Sequence, residues 1–305
     1  MFHKHFNIPA WFRLLVLTTL LPGLHLAVMG QQSDRPITLA ILDFGATTTG
    51  RLTSQTLIAN LKKETTISVL DRDLTMAAAR GAGYAGSLNL SLNEARNLGA
   101  VLGCDFFILG DAQTLRRSPS TDSFYFDSYA SMFLVSARTG RLVGWERPTF
   151  QSATPVESET SLIAELSSKE AQGRFVRLIR GAQEKERDER ILTTVHPVPV
   201  IEAAPDDDAK RLEVEKLRLP RPYRRFVPAY PETAARAEAE AVVDVLVDLD
   251  ANGEVTRVEL ARWAGFGLDE ATITTVRQLH FFPAMRDGVT IPMRVLLRYN
   301  FRKPK

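Results

Sequence analysis

The chain has 305 residues, 45% of them hydrophobic and 24% charged, a globular composition with room for about two domains. Its formal net charge of +2 and pI near 8.7 lie far from the basic excess of a dedicated nucleic-acid binder, so no nucleic-acid partner is expected. A single cysteine, Cys104, excludes an internal disulfide framework and a four-thiolate zinc site.

The first thirty residues stand apart from the rest. His3, Lys4, His5 and Arg13 precede LLVLTTLLPGLHLAVM, an apolar run of 16 residues broken by Pro22-Gly23. A basic start, a short apolar run and small residues near Val28-Met29-Gly30 mark residues 1–30 as a secretory signal peptide cleaved near Gly30. The alternative is a retained inner-membrane anchor, although a spanning helix calls for roughly 20 apolar residues. Only through such an uncleaved leader would the protein touch the membrane. Both readings export the body of the chain, and the expected location is the periplasm.

After Pro36, ITLAILDF is suited to a buried strand, and Leu52, Leu57, Ile58 and Leu61 then recur at helical spacing. TISVLD is a second strand; Asp71 or Asp73 can cap the helix LTMAAAR. Ser91 can cap LNEARNLGAVLG, which ends on Gly103, and CDFFILGDA is a third strand. Phe124–Ala137 and Arg141–Phe150 flank Arg138-Thr139-Gly140 as a hairpin, and Leu162, Ile163, Leu166, Phe175, Val176 and Ile179 stripe a closing helix or pair of helices. Strands alternating with helices, plus a hairpin, predict an α/β domain with a mixed sheet over residues 36–183. From Glu184 to Pro222 charge and X-Pro steps predict an extended linker. Residues 223–305 read as a small α+β module with a three-stranded antiparallel sheet: a short helix in PAYPETAARAE, a hairpin, the helix LDEATITTVRQL and the strand TIPMRVLLRYNF.

Within that module AVVDVLVDLDANGEVTRVELARW carries two patterns. Asp248, Asp250, Asn252, Gly253 and Glu259 match a calcium-loop spacing. Yet valines flank them on both sides, and in an extended strand Glu259 would lie roughly 20 Å beyond the turn, at ~3.3 Å per residue. The hairpin is the better reading, with Asn252 and Gly253 as the two left-handed centres of a type I′ turn. Asp248 is then neither turn centre nor ligand. Gly81, Gly83 and Gly86 spell a G-x-G-x-x-G, but a helix rather than a strand precedes them, so they read as a loop. His280 is expected to close the last helix, and Cys104 to be a small core residue. No histidine, thiol or acid is placed to build a catalytic or metal constellation, and neither an enzyme nor a cofactor is expected.

The last strand alternates. Met293, Val295, Leu297, Tyr299 and Phe301 belong to one face, Arg294, Leu296, Arg298 and Asn300 to the other.

The last ~80 residues resemble the TonB C-terminal domain, through Tyr230-Pro231, VDVLVDLDANGEV, Leu268-Asp269, VRQLHFFPAMRDG and a final strand ending in Phe301. The resemblance implies a periplasmic module that grips an extended segment of an outer-membrane receptor by strand pairing, in TonB-dependent transport across the envelope. It makes Arg294, Leu296, Arg298 and Asn300 the partner-binding residues. Residues 36–183 resemble CsgG-like and TolB-like envelope proteins through ITLAILDF, SVLDRDLTMAA, the glycine loop, GAVLGCDFFILGDA and FLVSARTGRLVGWE. This second resemblance implies protein–protein work in envelope assembly or secretion, with the C-terminal module used for docking or for forming a homodimer.

Overall fold

The apolar run after Pro36 becomes β1 (Ile37–Ile41) of a computed structural model that describes residues 35–118, 124–193, 202–203 and 216–303. β1 lies parallel to β2 (Ile67–Val69) and to β3 (Phe106–Arg117). β3 pairs antiparallel with β4 (Tyr125–Ser136), and β4 in turn carries β5 (Leu142–Glu146) and β6 (Thr149–Ser152). The result is the mixed sheet that alternating elements predicted.

Five helices accompany this sheet: α1 (Thr48–Leu61), α2 (Arg72–Gly81), α3 (Leu92–Leu102), α4 (Pro155–Leu166) and α5 (Lys169–Thr193). A pleat of period two sorts the apolar residues. Leu39, Ile41, Phe106 and Ile108 share one core with Leu57, Leu162, Leu166, Phe175 and Ile179; Ala40, Leu42, Phe107 and Leu109 share another with Ala79, Ala95 and Leu98. Local chemistry sets the helix ends. Asp71 accepts from the Asp73 and Leu74 amides, Ser91 and Glu94 form a reciprocal capping box, and Gly103 closes α3 in the left-handed conformation.

α5 corrects the expectation of extended chain from Glu184. The charged stretch KERDERILT continues the helix to Thr193, because it holds good helix formers and no proline. Glu186 and Glu189 also tie it to Arg138 and Arg141. The prolines at 197 and 199 lie outside the described residues.

The C-terminal part contains β7 (Glu202–Ala203), β8 (Leu217–Arg218), β9 (Arg221–Pro222), α6 (Glu232–Ala237), β10 (Ala241–Leu249) and β11 (Val255–Arg262). α7 (Leu268–Val276), β12 (Phe281–Phe282), β13 (Ala284–Arg286), β14 (Val289–Ile291) and β15 (Met293–Phe301) complete it. β11, β10 and β15 form the three-stranded antiparallel sheet, with β7 added parallel to β15. β8 and β9, read in sequence as linker, pair with β13 and β12.

The hairpin between β10 and β11 differs from the type I′ reading. The Gly253 amide donates to the Asp250 carbonyl and the Asp250 amide to the Glu254 carbonyl, while only Gly253 has positive φ, at 85°. This is a three-residue loop, a type I turn followed by a left-handed glycine. The Asp250 carboxylate selects it by accepting from the Asn252 and Glu254 amides.

His280 also differs from expectation. It lies beyond α7, bridged to Glu254, with its Nδ1 at 2.8 Å from the Glu254 carboxylate. The hairpin, not the helix end, positions it.

Candidate partner-binding site

β15 brings the four predicted partner-binding residues onto one strand, but their chemistry is partly committed to its neighbour. Strand register sets Arg294 opposite Asp248, Leu296 opposite Leu246, Arg298 opposite Asp244 and Asn300 opposite Val242. Directly opposed residues on one face touch. The Arg294 guanidinium accordingly grips Asp248 with two hydrogen bonds of 2.5 and 2.8 Å, and Arg298 grips Asp244 with bonds of 2.7 and 3.1 Å. Asp244 is only 4% exposed and has a second cation, Arg262, at 3.4 Å. A buried carboxylate needs such partners, since desolvation without pairing costs several kcal/mol.

Two expectations change here. Asp248 is not an idle residue but the counter-ion of Arg294. Arg294 and Arg298 are not simply solvent-facing charges; each is a cross-strand ion pair that also joins β15 to β10. Arg298 keeps 56% of its side chain exposed, whereas Arg294 keeps 20%. Leu296 is half-buried between them and Asn300 is exposed.

The opposite face behaves as its alternation predicted: Val295, Leu297, Tyr299 and Phe301 pack with Val243, Val245, Val247, Leu268 and Val276. Burial raises the Tyr299 phenol above its usual range. Among the described residues, the side of β15 away from β10 pairs only with Glu202–Ala203, at Arg294 and Val295. From Leu296 to Phe301 that side carries no described strand.

The other sequence candidates are dispersed. Glu259 lies in β11 opposite Leu246 and pairs with Arg141 and Arg257. Gly81 ends α2, and Gly83 and Gly86 lie in the loop before α3. Cys104 is half-buried, and desolvation pushes its thiol up to about 12, which suits packing rather than reactivity.

Sequence reasoning missed the contact between the two folded parts. The loop after β11, WAGFG, inserts Trp263 into the N-terminal core beside Phe107, Leu109 and Val135, where it is wholly buried. The indole stacks on Phe133 at 5.9 Å and donates from Nε1 to the Gly140 carbonyl at 3.0 Å. Phe266 meets Phe133 edge-on at 5.4 Å. Asn89 spends its whole side-chain amide on the C-terminal backbone: Nδ2 donates to the Val242 and Trp263 carbonyls, and Oδ1 accepts from the Val242 amide. Arg262 pairs with Glu94 on α3, and Arg141 bridges Glu189 on α5 to Glu259 on β11. Two aromatics around a glycine loop were the only sequence hint, and nothing in their spacing names a partner. The N-terminal domain thus packs on the β11 side of the C-terminal sheet, across β10 from β15.

Residues 227–302 match the family described as the Gram-negative bacterial TonB protein C-terminal. Among solved structures, the TonB CTD of Pseudomonas aeruginosa is similar at 17% identity, over 34% of this chain and 95% of that one, with a TM-score of 0.26. The LpoB C-terminal domain from Salmonella enterica is similar at 13% identity, over 41% and 90% of the two chains, with a TM-score of 0.28. The PelC dodecamer from Paraburkholderia phytofirmans is similar at 12% identity, over 43% and 86%, with a TM-score of 0.26. No curated protein matches the sequence. Residues 227–302 are therefore a TonB-like C-terminal domain, carried here behind an α/β domain.

Proposed function

We propose that the protein works in the periplasm as a protein–protein interaction module, recognising an envelope partner that adds an extended segment to β15. The observation that carries this reading is the side of β15 away from β10, which already takes an extended segment: the chain's own β7 pairs there with Arg294 and Val295. An edge of this kind offers main-chain donors and acceptors to an incoming strand. The match of residues 227–302 to the TonB C-terminal family supports an outer-membrane TonB-dependent receptor as the partner and TonB-dependent transport as the process. Among the described residues no helix is long and apolar enough to cross a membrane. We further propose the division into a leader at 1–30, a CsgG/TolB-like domain at 36–183, a linker at 184–222 and the TonB-like domain at 223–305. In that division α5 runs into the start of the linker, and β8 and β9 fold its end onto the last domain.

Comparing Arg298→Pro with Arg298→Ala tests strand addition. Both variants remove the ion pair to Asp244, so their difference reports the backbone donor that proline lacks. Arg298→Ala is expected to keep part of its partner binding in pull-downs from intact envelopes, and Arg298→Pro to lose it. A Pro variant that is folded by circular dichroism and binds at full strength would rule out strand addition here.

A second reading is favoured by the buried Trp263. A C-terminal domain fixed to its own N-terminal domain fits an assembly or secretion factor that uses the TonB-like part for docking or dimerisation. A retained N-terminal anchor, read by mass spectrometry of the purified N-terminus, would favour transduction over this alternative.

A further inference from the structure

β9 and β12 form a short ribbon whose two faces differ. Register sets Pro222 opposite Phe281 and Arg221 opposite Phe282. Phe281 is buried in the C-terminal core, so the alternate residues Arg221, Tyr223 and Phe282 point the other way. Tyr223 donates its amide to the His280 carbonyl at 2.8 Å, and its ring meets Phe282 edge-on at 4.3 Å, yet both residues stay about half exposed. The chain then runs on as Arg224-Arg225-Phe226-Val227, outside helix and strand, with Phe226 45% and Val227 90% exposed.

The charges on this face have one sign. From Lys216 to Pro231 the sequence holds no acidic residue. Arg218, Arg221, Arg224 and Arg225 are exposed, and among the described residues none has a carboxylate within ion-pair distance. Two acids flank the ribbon, and both are taken: Glu254 holds His280 at 2.8 Å and Asp287 holds Lys216 at 3.6 Å.

A contiguous run of exposed aromatics and valine is unfavourable in water and marks a contact surface. The arginines decide which contact. A second copy on a twofold axis would set this face against itself, like charge on like. An acidic protein surface would answer the arginines but set its own charges against Phe226 and Val227. A lipid interface supplies both needs in layers, with phosphates outside and an apolar boundary ~5–10 Å deeper. We propose that this face docks on an anionic lipid bilayer. Phe226 and Val227 enter the boundary between headgroups and acyl chains, Tyr223 and Phe282 lie at headgroup depth, and Arg221, Arg224 and Arg225 meet lipid phosphates. The face includes no residue of β15, so strand addition there and lipid docking use different residues.

Val227→Cys in the full chain, labelled with an environment-sensitive fluorophore, reports the insertion locally. The Cys104 thiol, half-buried and raised to about 12, stays unlabelled. Vesicles containing phosphatidylglycerol are expected to shift the emission to the blue, and phosphatidylcholine vesicles to need at least about tenfold more lipid for the same shift. Adding Arg224→Gln and Arg225→Gln is expected to raise the anionic lipid needed about tenfold, with an unchanged melting temperature. Should that variant melt early, about 0.5 M salt on the labelled Val227→Cys chain gives the same reading, because screening weakens the attraction without a substitution. No blue shift on anionic vesicles would overturn the proposal. So would an equal response to phosphatidylcholine alone, or a response that survives both the substitutions and the salt. A blue shift produced by polyglutamate without vesicles would overturn it in favour of an acidic protein partner. A dimer in analytical ultracentrifugation that Phe282→Ser dissolves would overturn it in favour of a second copy.

Discussion

Asp269 is buried at the start of α7, and its two carboxylate oxygens accept from the Ala264 and Gly265 amides at 2.8 and 2.9 Å. It thereby fixes the loop whose previous residue is Trp263. Desolvation nevertheless dominates and pushes the carboxyl from 3.8 up to about 6, with the two amides pulling the other way. A carboxyl with a raised folded pKa binds its proton more tightly in the folded state. Its contribution to stability is therefore full below the unfolded value near pH 4 and is lost as pH rises through about 6. The difference between the two values corresponds to about 3 kcal/mol. Urea unfolding across pH 4–7 should show the stability difference between wild type and Asp269→Asn shrinking by this order as pH rises; a difference that grows would reverse the assignment. The sequence showed Leu268-Asp269 opening a helix. That the carboxyl serves the preceding loop depends on how that loop returns over the helix, which no local pattern encodes.

At the scale of elements, the hairpin between β10 and β11 is held by its turn and by what the turn touches. A Cβ at Gly253 would lie 2.0 Å from the Phe281 carbonyl oxygen, and the residue already needs φ of 85°; its own carbonyl accepts from the Phe281 amide at 3.0 Å. Gly253→Val must therefore adopt a disfavoured backbone and displace β12 together. The expected loss is on the order of 3 kcal/mol, read from denaturant melts of the full chain. A loss below about 0.5 kcal/mol would show that the loop refolds around the side chain. The presence of a hairpin was legible in Asn-Gly between two valine-rich runs, because strand alternation and turn residues are local. The type of turn was not, since it depends on the Asp250 carboxylate and on the contact with β12. The end of α5 shows the same division: its apolar stripe is visible in sequence, but its last turns are tethered by Glu186 and Glu189 to a hairpin more than 40 residues earlier.

Across the whole molecule, Trp263 makes the two domains share a core. Truncating so large a buried side chain usually costs ~3–5 kcal/mol, and here it also leaves the Gly140 carbonyl without its donor. Trp263→Ala is expected to split one calorimetric transition into two, because the loop would no longer tie the C-terminal sheet to the N-terminal one. A single transition at a lower temperature would instead mean that Asn89 and the ion pairs of Arg262 and Arg141 suffice to couple them. The sequence by itself determined β1 to β3, the two hairpins, the capped helices and the two-faced alternation of β15, since each rests on neighbours at most a few residues apart; β7, β8 and β9 fell in the stretch read as linker, and β12 and β13 were not anticipated. It also carried the resemblance of the last ~80 residues to the TonB C-terminal domain, through residues quoted in order along the chain. Only the tertiary structure decided that Arg294 and Arg298 are engaged by Asp248 and Asp244, that β7 lies beside β15, and that Trp263 belongs to the other domain's core. Those outcomes depend on strand register and on surfaces brought together across 100 residues or more, and the free energy that selects them comes from desolvation and packing, which a linear pattern does not contain.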